Sequence, residues 1–372
     1  MSTVVESPLL PVYPPTRVTF VAGDGMWLLD EEGRAYLDFA AGIAVVGLGH
    51  RHPAPLAAAH EQLDRLWHAS NLFGTEPAAE LAAKLSARFG GAQSFFCNSG
   101  AEANEAALKY ARKATGKAGV IALEGGFHGR TLGALSVTGQ AANRAAFVEE
   151  GARFVQPNDV DGLRAAMSDE VGLIILEPVL GEGGVVPLSA DFVSAADELD
   201  ALLCFDEVQT GVGRTGTFFA WEQLSVRPSL LTLAKGLANG LPIGCLLVAE
   251  EAAGAFAPGD HGSTFGGNPV SCAAACAVLD TIDETLLAQV RANGARLLAG
   301  VATLPGVVEA RGAGLLVGAE LDKPAQPVVD AALDVGLVCL TSGPNVLRLA
   351  PPLVAEPEHV EQALEILREV IA

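Results

Sequence analysis

Lys235 stands directly after the apolar run Leu230-Leu231-Thr232-Leu233-Ala234 and directly before Gly236. An ammonium buried at a strand end costs several kcal/mol unless it is paired or neutralised. Desolvation also lowers a lysine's pKa toward nucleophilic use. The five other lysines have ordinary explanations as solvated charges: Lys84 follows Glu80 at i+4, Lys109 and Lys113 share a polar helix face, and Lys117 and Lys323 lie in turns. Asp206 ends the earlier run Leu202-Leu203-Cys204-Phe205 in the same way. Taken singly, Lys235 can be a snorkelling lysine and Asp206 a helix cap or an ion-pair partner. Taken together they supply an imine-forming amine and an acid that keeps a heteroaromatic nitrogen protonated.

Pyridoxal phosphate chemistry needs both of these groups. It also needs a grip on a phosphate. Phe95 to Glu102 runs strand, tight turn, helix, and the amides at that helix start, around Gly100 and Ala101, favour an anion. Phe127, between Gly126 and His128, offers an aromatic face for a planar ring. A serine before a helix is often only a cap and an aromatic among glycines is often only core, so the ordered combination carries the reading.

The elements around these residues read as an α/β domain. Short apolar runs at Ser94–Cys97, Val120–Leu123, Val171–Leu176, Leu202–Phe205, Leu230–Leu233 and Cys245–Val248 have the length and content of strands buried on both faces. Helical patterns alternate with them, as in Ala101–Ala114, where Ala103, Ala106, Ala107, Tyr110, Ala111 and Ala114 form one stripe. That alternation predicts a mostly parallel sheet, whose ligands bind beyond the carboxyl ends of its strands. The residues ending the runs are Asn98-Ser99-Gly100, Gly126-Phe127-His128, Glu177, Asp206-Glu207 and Lys235.

The last third predicts a smaller α+β unit: a helix over Glu284–Leu304, strands near Gly314–Leu321 and Val346–Leu349, and a final helix with Val360, Ala363, Leu364 and Leu367 on one face. A hairpin of Val18–Val21 and Trp27–Leu29, followed by a turn at Glu31-Glu32-Gly33, is placed to join it. The expected division is an N-terminal segment over 1–40, a large cofactor-binding domain over 41–277 and a small domain over 278–372.

A formal net charge of −21 argues against nucleic acid and anionic membrane surfaces as partners, so any phosphate must be gripped locally. The first ten residues lack a basic stretch followed by an apolar run, and no charge-free apolar stretch is long enough to span a bilayer. The six cysteines, at 97, 204, 245, 272, 276 and 339, form no CxxC pair and no zinc spacing. They predict small buried side chains in a reducing cytoplasm, and no metal site.

The segments Gly42–Val45, Gly49–Pro53, Asn98–Asn104, Phe127–Thr131, Glu177–Gly184, Asp206–Gly216, Leu231–Gly236, His261–Pro269 and Gly343–Leu353 together resemble the class III pyridoxal-phosphate aminotransferases. The resemblance covers nearly the whole chain, in family order. It implies a type I aminotransferase fold, with a mostly parallel seven-stranded sheet in the large domain, and a homodimer with active sites at the interface. It further implies that Gly100 and Ala101 bind the phosphate and that Phe127 stacks on the ring. Asp206 would pair with the ring nitrogen, Gln209 would touch the ring hydroxyl, and Lys235 would hold the cofactor as an imine. Thr264 would reach the phosphate in the neighbouring subunit, while Arg130 and Ser263 would contact substrate.

Glu182 and Arg348 would form a gate in which the glutamate covers the arginine for an amine donor and moves aside for an α-carboxylate. A static ion pair is the alternative. The implied reaction moves the terminal amine of N-acetylornithine to 2-oxoglutarate, in arginine biosynthesis. Other ω-amine donors are succinyl-diaminopimelate, ornithine, 4-aminobutyrate or a carrier-bound lysine, and a non-catalytic cofactor-binding module is the remote alternative. Leu180 stands where the family commonly has glutamine, and Ala238-Asn239 replaces the more usual pair of glycines. Neither change removes a catalytic group.

Overall fold

The computed structural model describes residues 9–148 and 151–371. Its centre is a seven-stranded sheet in the order Ala92–Cys97, Gly244–Ala249, Leu230–Leu233, Leu202–Asp206, Val171–Leu176, Gly119–Leu123 and Arg153–Val155. Only Gly244–Ala249 runs antiparallel to its neighbours. The pairs from Leu230–Leu233 across to Arg153–Val155 are all parallel. Val171–Leu176 and Gly244–Ala249 are buried at every position, as unbroken apolar runs require when helices cover both faces.

All six expected strands are present, each within two residues of its predicted limits. The edge strand Arg153–Val155 escapes sequence reading because it is three residues long and opens on an exposed arginine. The helix that follows Ala92–Cys97 spans Gly100–Thr115 and ends at Gly116 in the left-handed conformation, an ordinary glycine stop. Its buried face carries Ala103, Ala106, Ala107, Tyr110 and Ala111.

The N-terminal strands differ in register from the expected hairpin. Phe20–Asp24, Trp27–Asp30 and Ala35–Asp38 form a three-stranded meander, and the turn at 31–33 joins its second and third strands. Leu337–Val338 adds to this meander in parallel, so the chain's beginning is tied to its C-terminal third. There Val307–Ala313, Leu316–Leu321, Val346–Leu349 and Leu340–Thr341 form a second four-stranded sheet. Val307–Ala313 is missing from the sequence reading because Glu309, Arg311 and Gly312 break its apolar pattern and no position is fully buried.

The helix Glu284–Val301 stops three residues before its predicted end, where Thr303 folds back to donate to the Gly300 carbonyl at 2.7 Å. A two-stranded hairpin, Val179–Leu180 with Val186–Pro187, projects the loop that carries Glu182. The final helix, Pro357–Ile371, buries Val360, Ala363, Leu364 and Leu367.

All six cysteines are free and buried, and burial pushes the Cys97, Cys272, Cys276 and Cys339 thiols up to about 12. At that value none is a thiolate nucleophile near neutral pH. Among the described residues no cluster of metal-ligating side chains occurs, and no helix is long and apolar enough to cross a membrane.

Candidate active site

The carboxyl ends of the parallel strands open into a cavity of about 400 Å³. Lys235, Asp206, Phe127, Gln209 and the helix start at Gly100-Ala101 all line it, and Arg130 stands on its wall. Seven of the expected residues therefore converge from four separate stretches of chain.

Lys235 follows the strand Leu230–Leu233 after one residue and opens a short 3₁₀ turn, Lys235–Ala238. Its φ of 44° puts a long side chain in the left-handed region, the sort of backbone strain that collects at functional sites. Burial lowers the Lys235 amine below the usual lysine range, and the Arg348 cation adds to that. Glu182, Glu177 and Asp206 act in the opposite direction. Of the five other lysines, Lys84 and Lys117 are held in ion pairs, Lys109 and Lys113 bind the loop at Asp260, and Lys323 donates to the Ile371 carbonyl.

Asp206 is 3% exposed and receives three N–H groups. Oδ2 accepts from Asn104 Nδ2 at 2.7 Å and is bonded to His128 Nδ1 at 2.8 Å. Oδ1 accepts from the Val208 amide at 3.0 Å. Asn104 is itself fixed, donating to the His128 carbonyl at 2.7 Å and accepting from Thr232 Oγ1 at 2.8 Å. Burial alone would depress the His128 imidazole, but its hydrogen bond to Asp206 together with the charges of Asp206 and Glu177 raises it. Its Nε2 has no hydrogen-bond partner among the described residues.

Asn104 and His128 are thus site residues to which the sequence reading assigned no role, although His128 was among the strand-end residues. Asn104 offers one signal, a polar residue at i+4 from Gly100 on the helix's apolar stripe. His128 lies inside the glycine-rich turn already marked by Phe127.

At the helix start, Ser99 caps Glu102 at 3.2 Å, and Glu102 returns a bond to the Asn98 amide at 2.9 Å. This reciprocal cap leaves the Gly100 and Ala101 amides in the open first turn, where an anion can dock. A Cβ on Gly100 would meet Val208 at 2.7 Å, so glycine here permits close packing beside the cavity. The guanidinium of Arg130 lies 5.3 Å from the Phe127 ring centre.

The remaining expected residues sit beside the cavity rather than in its wall. Arg348, 4% exposed on the strand Val346–Leu349, bonds Gln209 Oε1 at 3.2 Å and pairs with Glu182. Ser263 accepts from Asn98 Nδ2 at 3.2 Å and so reaches the site through Asn98. Thr264 is exposed and faces a different surface cavity, which includes Ser70, Phe95 and Pro258.

Glu177 lines the cavity and joins two loops, accepting from the Phe127 amide at 2.8 Å and from the Gly181 amide at 3.1 Å. Burial raises its carboxyl to about 7, and the charge of Asp206 adds to the rise. Glu207 accepts from the Ala220 and Trp221 amides at 2.7 and 2.8 Å, and burial raises it to about 8. Of the two departures from the family pattern, Asn239 has a physical account. With φ at 50° it adopts the left-handed conformation that asparagine tolerates. Its side chain also ties down the distant turn at Leu48-Gly49, accepting from the Leu48 amide at 2.7 Å and donating to the Gly49 carbonyl at 3.0 Å. Leu180 is fully buried beside Gly125 and Gly183.

An amine, a carboxylate, an aromatic face and a helix N-terminus around one cavity fit pyridoxal phosphate. Residues 11–371 match the model of the class-III aminotransferases, and the chain belongs to that family, whose members depend on pyridoxal phosphate.

More narrowly, it is similar to acetylornithine aminotransferases. The one from Corynebacterium efficiens is 46% identical, over 98% of this chain and 95% of the relative. That from Mycolicibacterium smegmatis is 45% identical, over 98% and 96%. The crystal structure of N-acetylornithine aminotransferase from Stenotrophomonas maltophilia K279a matches with a TM-score of 0.84 and 37% identity, covering 96% of each chain. Ornithine aminotransferase from Toxoplasma gondii ME49 matches with a TM-score of 0.92 and 31% identity, over 98% of this chain and 92% of the other.

Proposed function

We propose that this chain transfers the terminal amino group of N2-acetyl-L-ornithine to 2-oxoglutarate, giving N-acetyl-L-glutamate 5-semialdehyde and L-glutamate in arginine biosynthesis. The observation that carries the chemistry is the meeting of Lys235 and Asp206 at the ends of neighbouring strands in one cavity. The names of the relatives above support the choice of donor.

When bound, pyridoxal phosphate supplies an aldehyde that condenses with primary amines and a cationic ring that draws electrons from the adjoining carbon. Lys235, with its amine lowered by burial, anchors the cofactor and then takes and returns a proton at Nζ. Asp206 holds the proton on the ring nitrogen, itself oriented by Asn104, His128 and Val208. The amides of Gly100 and Ala101 take the phosphate, Phe127 covers the ring, and Gln209 meets its hydroxyl.

Arg130 binds a substrate carboxylate as a guanidinium fork, with Ser263 nearby. Glu182 covers Arg348 while the amine donor is bound and turns away when the α-carboxylate of glutamate or 2-oxoglutarate takes its place. Thr264, exposed outside its own cavity, serves the phosphate of a second copy in a cytoplasmic homodimer. The division into residues 1–40, 41–277 and 278–372 belongs to the same reading.

Ornithine is the second donor to consider, because a solved ornithine aminotransferase superposes on almost the whole chain. Steady-state kinetics with acetylornithine, succinyl-diaminopimelate, ornithine and 4-aminobutyrate separate the donors. Acetylornithine should give the highest kcat/KM, and no turnover with it would overturn the proposed substrate. Borohydride should trap the cofactor on Lys235, and Lys235→Ala should lose both trapping and turnover.

A further inference from the structure

The loop that carries Glu182 is held from outside on both flanks. On one flank the Gly181 carbonyl accepts from Arg348 Nη1 at 3.0 Å and from Ser342 Oγ at 2.9 Å. On the other, the Gly184 amide donates to Ser342 Oγ at 2.7 Å, and the Gly184 carbonyl accepts from Arg311 Nε at 2.8 Å. Among the described residues, the side chain bonded to both flanks is Ser342. Its hydroxyl donates to one and accepts from the other, and it is 1% exposed.

Ser342 also belongs to the hairpin that carries Arg348. Its amide donates to the Val346 carbonyl at 2.9 Å, and Leu340 lies opposite Arg348 across the strand pair. The hydroxyl therefore fastens the glutamate's loop to the arginine's strand. Immediately beyond, fully buried Val185 sits at φ 54°, a strained conformation for a β-branched residue that surrounding contacts must hold.

We infer that Ser342 is a positioning residue for substrate discrimination: it fixes the backbone around Glu182, so that opening the Glu182–Arg348 pair is confined to rotation of the glutamate side chain. This rests on the transaminase reading above. The two half-reactions depend on the clamp differently. With an amine donor bound, Glu182 must neutralise a buried guanidinium, and a loosened loop does so poorly. With glutamate bound, the substrate's own α-carboxylate takes that guanidinium.

Ser342→Ala removes both bonds and leaves the buried Gly184 amide without its acceptor. The kcat/KM for acetylornithine should fall about tenfold, while that for glutamate changes by less than about threefold. Ser342→Thr keeps the hydroxyl and should restore the ratio. Independently of activity, hydrogen exchange at Gly184 should quicken about tenfold in Ser342→Ala, with or without cofactor, and return toward wild type in Ser342→Thr. Equal loss in both half-reactions, or unchanged exchange at Gly184, overturns the inference. Should Ser342→Ala not fold, Ser342→Cys, with only a weak thiol donor, is read in the same two ways. A wild type that transaminates no amine overturns the functional reading, and the exchange comparison then still decides whether the clamp exists.

Discussion

Changing Asp206 to asparagine tests the centre of the site with one atom. The carboxylate receives Asn104 and His128 at Oδ2 and the Val208 amide at Oδ1. An amide group has only one acceptor oxygen, so its NH2 must face an N–H donor. Placed toward Asn104 it opposes a side chain already committed to the His128 carbonyl and Thr232; turned over, it opposes Val208. It also brings no negative charge to a protonated ring nitrogen. Hydrogen bonds to charged groups contribute about 1.5–3 kcal/mol each, so losing one or two costs roughly 1.5–6 kcal/mol, and a mid-range rise in the barrier of about 3–4 kcal/mol is expected. That corresponds to a fall in kcat of about 10²–10³. Single-turnover absorbance measurements of each half-reaction would read it directly, and the melting temperature of cofactor-free protein would report any structural damage separately. The His128 imidazole, raised by Asp206, should also titrate lower in the variant, as read by NMR. An Asp206→Asn enzyme with kcat within about threefold of wild type in both half-reactions would refute the assigned role.

Glu207 makes a stability prediction with a definite sign. Its folded carboxyl is raised to about 8 from an ordinary 4.5, so its contribution is full below about 4.5 and lost as pH rises through about 8. Up to roughly 5 kcal/mol is at stake, and Glu207→Gln should flatten the decline in denaturant midpoint between pH 5 and 8; an unchanged slope would remove Glu207 as its cause. Gly100→Ala should weaken cofactor binding about tenfold in fluorescence titration, because the new methyl drives into Val208, whereas unaltered affinity would show that Val208 yields. Glu182→Gln leaves the Arg348 cation uncovered and should lower kcat/KM for acetylornithine at least about tenfold relative to glutamate, while equal effects would favour a static ion pair.

The large sheet was legible because its strands are buried on both faces and therefore appear as unbroken apolar runs. The polar residues ending those runs had to be either costly or useful, which is why Lys235 and Asp206 could be singled out. Arg153–Val155 and Val307–Ala313 carry no such signature, being short or half exposed. Within the site, the residues that line the cavity were readable from motif order, but the supporting bonds were not. Asn104 reaches Asp206 across 102 positions of sequence, and Ser342 reaches Gly181 across 161. Spacing along a chain encodes neighbours on one element; it says little about a hydroxyl that meets a loop from another sheet.

The net charge of −21 looks unsuited to a site that must hold a phosphate and dicarboxylate substrates. Near the cavity, however, that formal value overstates the negative charge. It counts Glu177 and Glu207 as fully ionised, yet burial raises their carboxyls to about 7 and about 8. Each faces two backbone amides, whereas Asp206 receives three N–H groups, two of them from the side chains of Asn104 and His128. These three acids are thereby sorted by their surroundings: Glu177 and Glu207 fasten loops through backbone amides, and Asp206 is held at the cavity by two side chains and one amide. The arginines around the site are few and specifically placed, Arg130 on the cavity wall and Arg348 paired with Glu182. On the proposed function, selection of a carboxylate at this site would rest on these two guanidinium groups and one helix start. It is insulated from the acidic surface by distance and solvent screening rather than by the balance of the whole chain.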